Sequence, residues 1–483
     1  VALSLALALS AGAQSAQKAP HSPNPAPTAS ASPQNAEADA VLMDMAEAFK
    51  RGDSKRLTQL LPKARGHVLE PWAAYWELRA RLDQASESQV RDFLTRYAHS
   101  YQEDRLRNDW LLLLGSRRDW TTLAQEHPHY RMRDDREVQC YVSLVDFLRS
   151  GPQSDPALPE EVYRLWLAQR EGDDGCALAA DRLFDAGKLS AAQIWRKARI
   201  ATDSGRSRSA KQALEIVQPS SVREWAQLWA QPSKWLGHHA SNPRAASSEM
   251  AVLALLRWVS MEPEQASRVL RTVWQPVLSA EQRDWVWGAL GRQSAMRLDD
   301  DAMGFFDKVS QPAHLSDDML SWLVRAALRA ERVPQWKKVD EAIRAMSLAH
   351  RQDPTWVYWL ARAHKALHPP QHPQHQAALK ALESIAGIRG FYEQLALEQL
   401  GRKVTVPARP EPPTDIEVAA ARQNPSLKRA LYAIGMGLRA EGVREWNYGA
   451  HLVNAQGQLG RMTEREMLAT DRKSTRLNSS HVK

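Results

Sequence analysis

Two cysteines, Cys140 and Cys176, are the residues of this 483-residue chain whose type and spacing first suggest chemistry. In an exported protein an even pair reads as a disulfide. A loop of about 36 residues would contribute roughly 3–4 kcal/mol by restricting the unfolded chain. Two buried thiols are the alternative. His364, His368, His372 and His375 have a spacing that would align metal ligands on a single helix. Pro369, Pro370 and Pro373 interrupt them, so a solvated loop is expected there. His238-His239 reads as part of a polar turn, and Asp299-Asp300-Asp301 as a helix start or turn. No HExxH, glycine-rich phosphate loop or GxSxG is present. No metal, cofactor or nucleophile site is therefore expected, and no residue is assigned a catalytic role.

Export is read from the first residues. Val1 to Ser10 form an apolar run of signal-peptide type, and Ala11-Gly12-Ala13 fits the small-residue cleavage rule, which makes Gln14 the first mature residue. The basic leader and initiating Met of a complete signal are missing from this end. Residues 14–37 carry Pro20, Pro23, Pro25, Pro27 and Pro33 in a Ser/Ala-rich setting, the composition of a disordered tether. At the other end, Asp471 to His481 match the translation of a common sequencing adapter. Residues 471–483 are accordingly read as an artefact, with the natural chain continuing past Thr470. That tail holds four basic residues against one acid, so the remainder carries +5 of the formal +8. So mild a charge, with no polybasic run, does not imply nucleic acid. No membrane span is expected once the signal is removed.

The elements that position these residues read as helices almost throughout. Hydrophobic residues at 43% and charged residues at 25% exclude wholesale disorder and collagen, and the length suits either three domains or one long repeat array. Ser86-x-x-Gln89 has the capping-box form and is followed by Val90, Phe93, Leu94 and Tyr97, one apolar helix face. The same start recurs at Ser190/Gln193 and Ser279/Gln282. Gly52 and Gly187 read as helix stops. Segments opening on Asp284, Asp318 and Asp353 recur at 34 and 35 residues. Each has a Trp three or four positions on, and each acid is expected at a helix N-terminus. A period near 34 is the mark of stacked helical hairpins of the tetratricopeptide kind, although the full consensus is absent. Pro407, Pro410, Pro412 and Pro413 then break the pattern. The expected organisation is an all-α superhelical array over 38–403, a Pro-rich linker over 404–414 and a small helical linker domain over 415–470. The 18 Trp suit helix packing and sugar stacking equally. Those at the repeat positions read as core, but a Trp-rich surface able to hold a glycan is a second expectation.

A long series of pieces occurs in a fixed order: Gly66-His67-Val68-Leu69-Glu70-Pro71-Trp72, Tyr75 to Arg79, Val90 to Leu94, Asp104 to Leu111, Asp119-Trp120, Cys140-Tyr141, Cys176, Arg389 to Tyr392, and Leu400-Gly401. This order resembles the superhelical, U-shaped domain of the large soluble lytic murein transglycosylases, and the stretch around Leu427 to Trp446 resembles their linker domain. The resemblance spans about 38–470. It implies a ring-forming solenoid carrying a lysozyme-like domain. That domain cleaves peptidoglycan between N-acetylmuramic acid and N-acetylglucosamine, using one Glu as acid and then base, to leave an anhydro-muramoyl end. The family's catalytic Glu-Ser followed by Gly-Leu-Met-Gln is not found. Glu87-Ser88 and Glu383-Ser384 fall in or beside repeat helices, and neither is assigned. The resemblance thus implies a periplasmic, monomeric protein that meets glycan strands and cell-wall synthesis proteins, lacks the catalytic domain and is inactive alone. A non-enzymatic periplasmic scaffold that binds envelope proteins or peptides is the alternative.

Overall fold

The computed structural model describes residues 33–330, 333–405, 411–412 and 414–451. The signal-like segment, most of the tether, the adapter-like tail, and Pro407, Pro410 and Pro413 lie outside the described residues. Among those described there are 26 α-helices, short 3-10 turns, one π-helical turn at Leu270–Trp274, and no strand. The described residues divide into two compact units, one ending at Arg81 and one beginning at Leu82.

The first unit is built from helices Pro33–Arg51, Ser54–Leu60 and Glu70–Ala80. Its first helix starts inside the segment read as tether. Proline at the first helical position explains the difference, since its fixed φ suits a helix start and its missing N–H has no partner to lose there. Gly52, at φ 71°, lets the chain leave that helix, and Asp53 caps the next by accepting from Arg56 N–H at 3.0 Å. Phe49, Trp72, Tyr75 and Trp76 pack as one aromatic cluster. Glu77, buried among these helices, accepts from the Thr58 hydroxyl at 2.8 Å and Arg81 Nε at 2.7 Å.

In the second unit the capping boxes at Ser86/Gln89, Ser190/Gln193 and Ser279/Gln282 are all formed. One hydrophobic core runs from Cys140 to Ala363. All 18 Trp of the sequence are described, and none is exposed. The expected Trp-rich surface is therefore absent. The rings fill the spaces between hairpins, where a large flat side chain buries the most area.

Consecutive hairpins are joined by a recurring contact. A carboxylate on one helix accepts two or more hydrogens from the segment about one repeat further on. Asp104 takes Arg131 N–H and Met132 N–H, both at 2.8 Å. Glu137 takes Asp174 N–H at 3.0 Å and Gly175 N–H at 3.2 Å. Asp284 takes Ser310 N–H at 2.8 Å and the Ser310 hydroxyl at 2.7 Å. Asp317 takes Ser347 N–H and hydroxyl at the same two distances. Asp284 was expected at a helix N-terminus. It lies instead inside helix Ala280–Arg297, 1% exposed, because its partners belong to the next hairpin.

The C-terminal helices are Asp415–Gln423, Pro425–Gly435 and Arg439–His451. Gly442 lets the last two approach, since a Cβ there would lie 2.6 Å from the Ala430 carbonyl oxygen. Helix Arg439–His451 then packs on helix Tyr101–Ser116. Glu445, fully buried, accepts from Arg429 Nε at 2.6 Å and Gln102 Nε2 at 2.9 Å. The Arg131 guanidinium donates to Tyr448 Oη at 2.7 Å, and Tyr448 meets Tyr101 edge-on at 5.5 Å. The second unit thereby closes on itself across 343 residues of sequence.

Candidate functional site

The residues around Cys140 and Cys176 border a polar concavity. Cys140 lies on helix Arg136–Ser150 and Cys176 on helix Asp174–Asp185. The two are joined, with Cα atoms 4.9 Å apart. Helix Asp174–Asp185 starts at a cap, Asp173, whose Oδ1 accepts Cys176 N–H at 2.7 Å. Glu137 Oε1 accepts the two preceding N–H groups of that first turn, those of Asp174 and Gly175. Gly175 permits the approach, because a Cβ would stand 2.7 Å from the Glu137 carbonyl oxygen. Tyr141 Oη donates to Asp174 Oδ2 at 2.5 Å, and Arg118 grips both oxygens of the same carboxylate.

These contacts set the electrostatics. Burial pushes Glu137 and Asp173 above the ordinary carboxylate range, only partly offset by the N–H groups they accept. The Arg118 hydrogen bond holds Asp174 below it. Behind the wall, Lys197 is 2% exposed and donates to the Trp166 and Gln169 carbonyl oxygens at 2.5 and 3.0 Å. It thereby satisfies the end of helix Leu158–Ala168 and holds the loop that leads to Asp173. Burial lowers its pKa to about 8.

Together these elements enclose an open cleft of about 640 Å³. Its acids have partners: Glu137 and, through Oδ1, Asp173 accept backbone N–H groups, Asp174 pairs with Arg118, and Glu171 with Arg206, while Asp173 Oδ2 is buried without a hydrogen bond among the described residues. Arg136, Arg170 and Arg208 line the same cleft, and their side chains make no hydrogen bond among the described residues, though the charge of Arg208 also helps to hold Asp174 down. These guanidiniums went unnoticed in the sequence. Their spacings of 34 and 38 residues are near the repeat period, but that period was legible only further along the chain.

The other candidates are scattered. His364 ends helix Pro354–Leu367 paired to Asp340 at 2.7 Å. His372 caps helix Pro373–Ile385, and His375 lies within it. The expected loop is thus a short turn between two helices, for proline is accommodated at a helix start. Among the described residues no three or more His, Cys, Asp or Glu side chains are placed to hold a metal ion. His238 and His239 finish a helix, His239 against Trp235 at 4.1 Å. Asp299, Asp300 and Asp301 are exposed in a turn. Glu87 and Glu383 lie on exposed helix faces, paired with Arg91 and Arg402.

No family model matches the chain, and no curated protein matches it by sequence. Solved structures do. The inactive-mutant structure of a lytic transglycosylase from Pseudomonas aeruginosa superposes with a TM-score of 0.50 at 22% identity, over 91% of this chain and 68% of that one. The chain shares the all-helical fold of the soluble lytic transglycosylases. The 70-kDa soluble lytic transglycosylase of Escherichia coli matches with a TM-score of 0.46 at 16% identity, over 92% and 68% of the two chains. A 70-kDa soluble lytic transglycosylase in complex with bulgecin A gives 0.45 at 16%, over 92% and 69%.

Proposed function

We propose that this chain is the helical-array and linker part of an exported lytic murein transglycosylase. In this reading residues 38–403 form the array, 404–414 the Pro-rich linker and 415–470 the linker domain. The assembly works in the periplasm on peptidoglycan, where the enzyme cleaves between N-acetylmuramic acid and N-acetylglucosamine with an anhydro-muramoyl product. These residues hold the strand, and the acid–base Glu is supplied outside them. The observation that carries the reading is the fold shared over 91% of the chain. The ordered series of matching pieces from Gly66 to Gly401 supports it. So does the Cys140–Cys176 bridge, which suits an oxidising compartment. Among the described residues no helix is long and apolar enough to cross a membrane.

Sedimentation with purified sacculi tests this. The chain should pellet with sacculi at low salt and be released by high salt, with no anhydro-muropeptides in the supernatant by chromatography. Failure to pellet would favour an envelope scaffold for proteins. Release of anhydro products by the chain alone would place the catalytic Glu within it.

A further inference from the structure

We propose that the cleft beside the disulfide binds the carboxylates of peptidoglycan stem peptides through Arg136, Arg170 and Arg208. The inference rests on the peptidoglycan reading above and names what this part of the array recognises.

The argument is one of supply and demand for hydrogen bonds. Each acid in the cleft accepts from a backbone N–H group or pairs with an arginine of the protein, and the one oxygen left over, Asp173 Oδ2, is buried away from a ligand. The side chains of the three arginines that line it make no hydrogen bond to the protein among the described residues, and only Arg208 acts on a cleft acid, through its charge on Asp174. The groups left to meet a ligand are therefore guanidiniums, planar double donors whose geometry matches a carboxylate. The walls are held in place from behind by the disulfide, by Gly175 and by Lys197, so the three cations project from a fixed frame. A volume of about 640 Å³ suits a ligand of several residues. No aromatic side chain lines the cleft, so it offers no platform on which a sugar ring could stack. In a glycan strand bearing peptides, the sugars are neutral and the negative charge sits on the peptide carboxylates. A cleft of free arginines without aromatic rings thus selects the peptide over the sugar.

Isothermal titration on the full chain would test this, using five probes: lysozyme-released muropeptides carrying a tetrapeptide, the free tetrapeptide, the tetrapeptide with its carboxyls amidated, a neutral N-acetylglucosamine oligosaccharide as bare glycan, and hexaglutamate. The muropeptide and free tetrapeptide should bind, the amidated peptide and bare glycan should not, and binding should weaken with salt. The double variant Arg170→Ala/Arg208→Ala should lose at least tenfold in affinity with an unchanged circular dichroism spectrum. The Arg→Lys pair should recover part of it. Equal binding by wild type and double variant, no binding of either carboxylate peptide, or equal binding of bare glycan would overturn the proposal. If sacculi still pellet the double variant while tetrapeptide affinity is unchanged, the cleft proposal falls and the peptidoglycan reading stands. If a hexaglutamate probe binds as tightly as the tetrapeptide and sacculi are not bound, stem-peptide recognition and the peptidoglycan reading fall together.

Discussion

Lys197 carries a titration that the fold disfavours. Its ammonium is buried against Trp166 and the end of a helix, and its pKa falls to about 8. The unfolded chain holds that proton up to about pH 10.4. Between these two values the unfolded state binds more protons, so stability should rise with pH over that window. The rise from this one group is at most on the order of 3 kcal/mol. In Lys197→Met this contribution should vanish. Comparing the melting temperatures of wild type and variant from pH 7.5 to 10 checks it. Parallel profiles would mean that Lys197 stays charged when folded.

The pair Cys140 and Cys176 belongs to the same scale. Both side chains are fully buried. Thiol titration of denatured, unreduced protein should find no free thiol. Reduction should lower stability by about 3–4 kcal/mol in the chain-entropy account. Two titratable thiols in periplasmically expressed protein would refute the bridge.

Among elements, the carboxylate contacts between hairpins hold the repeat together. Asp284 satisfies Ser310 N–H, Gln311 N–H, the Ser310 hydroxyl and His314 at once. Asp284→Ala would strand those donors in a site where the acid is 1% exposed. A loss of about 2–4 kcal/mol in denaturant unfolding is expected. Hydrogen exchange at Ser310 and Gln311 should quicken first. Asp317 makes the same two bonds to Ser347 with its side chain 31% exposed. Water can replace it there, so Asp317→Ala should cost about 0.5–1.5 kcal/mol. Equal costs for the two variants would refute the burial argument. The repeat itself was visible in the sequence because Asp and Trp recur along the chain. The partners of Asp284 and Asp317 were not, because each lies some 30 residues away in the next hairpin.

For the molecule as a whole, the consequential contact is the return of helix Arg439–His451 onto helix Tyr101–Ser116. Glu445→Ala leaves Arg429 and Gln102 without their acceptor. Removing one partner of a buried ion pair costs about 3–5 kcal/mol locally. A repeat array draws its stability chiefly from neighbouring hairpins, so the rest need not follow. Limited proteolysis of Glu445→Ala should cut the C-terminal helices early while the main thermal transition moves little. A matching fall of the whole transition would mean that closure and array fold as one cooperative unit.

The all-helical character, the three capping boxes and the roughly 34-residue period were legible in the amino-acid order. Each depends on residues within a few positions of one another, or on a pattern repeated often enough to be seen. Ser279 caps with Gln282 three residues on, whatever lies elsewhere in the chain. The tryptophans at the repeat positions were legible as core; tertiary structure alone decided that none of the 18 is exposed, that Asp284 is a buried acceptor, and that Arg136, Arg170 and Arg208 share one cleft. It alone decided that Glu445 meets Gln102. These arrangements depend on how hairpins stack, and a side chain's partner across a stack leaves no local mark on the sequence around it.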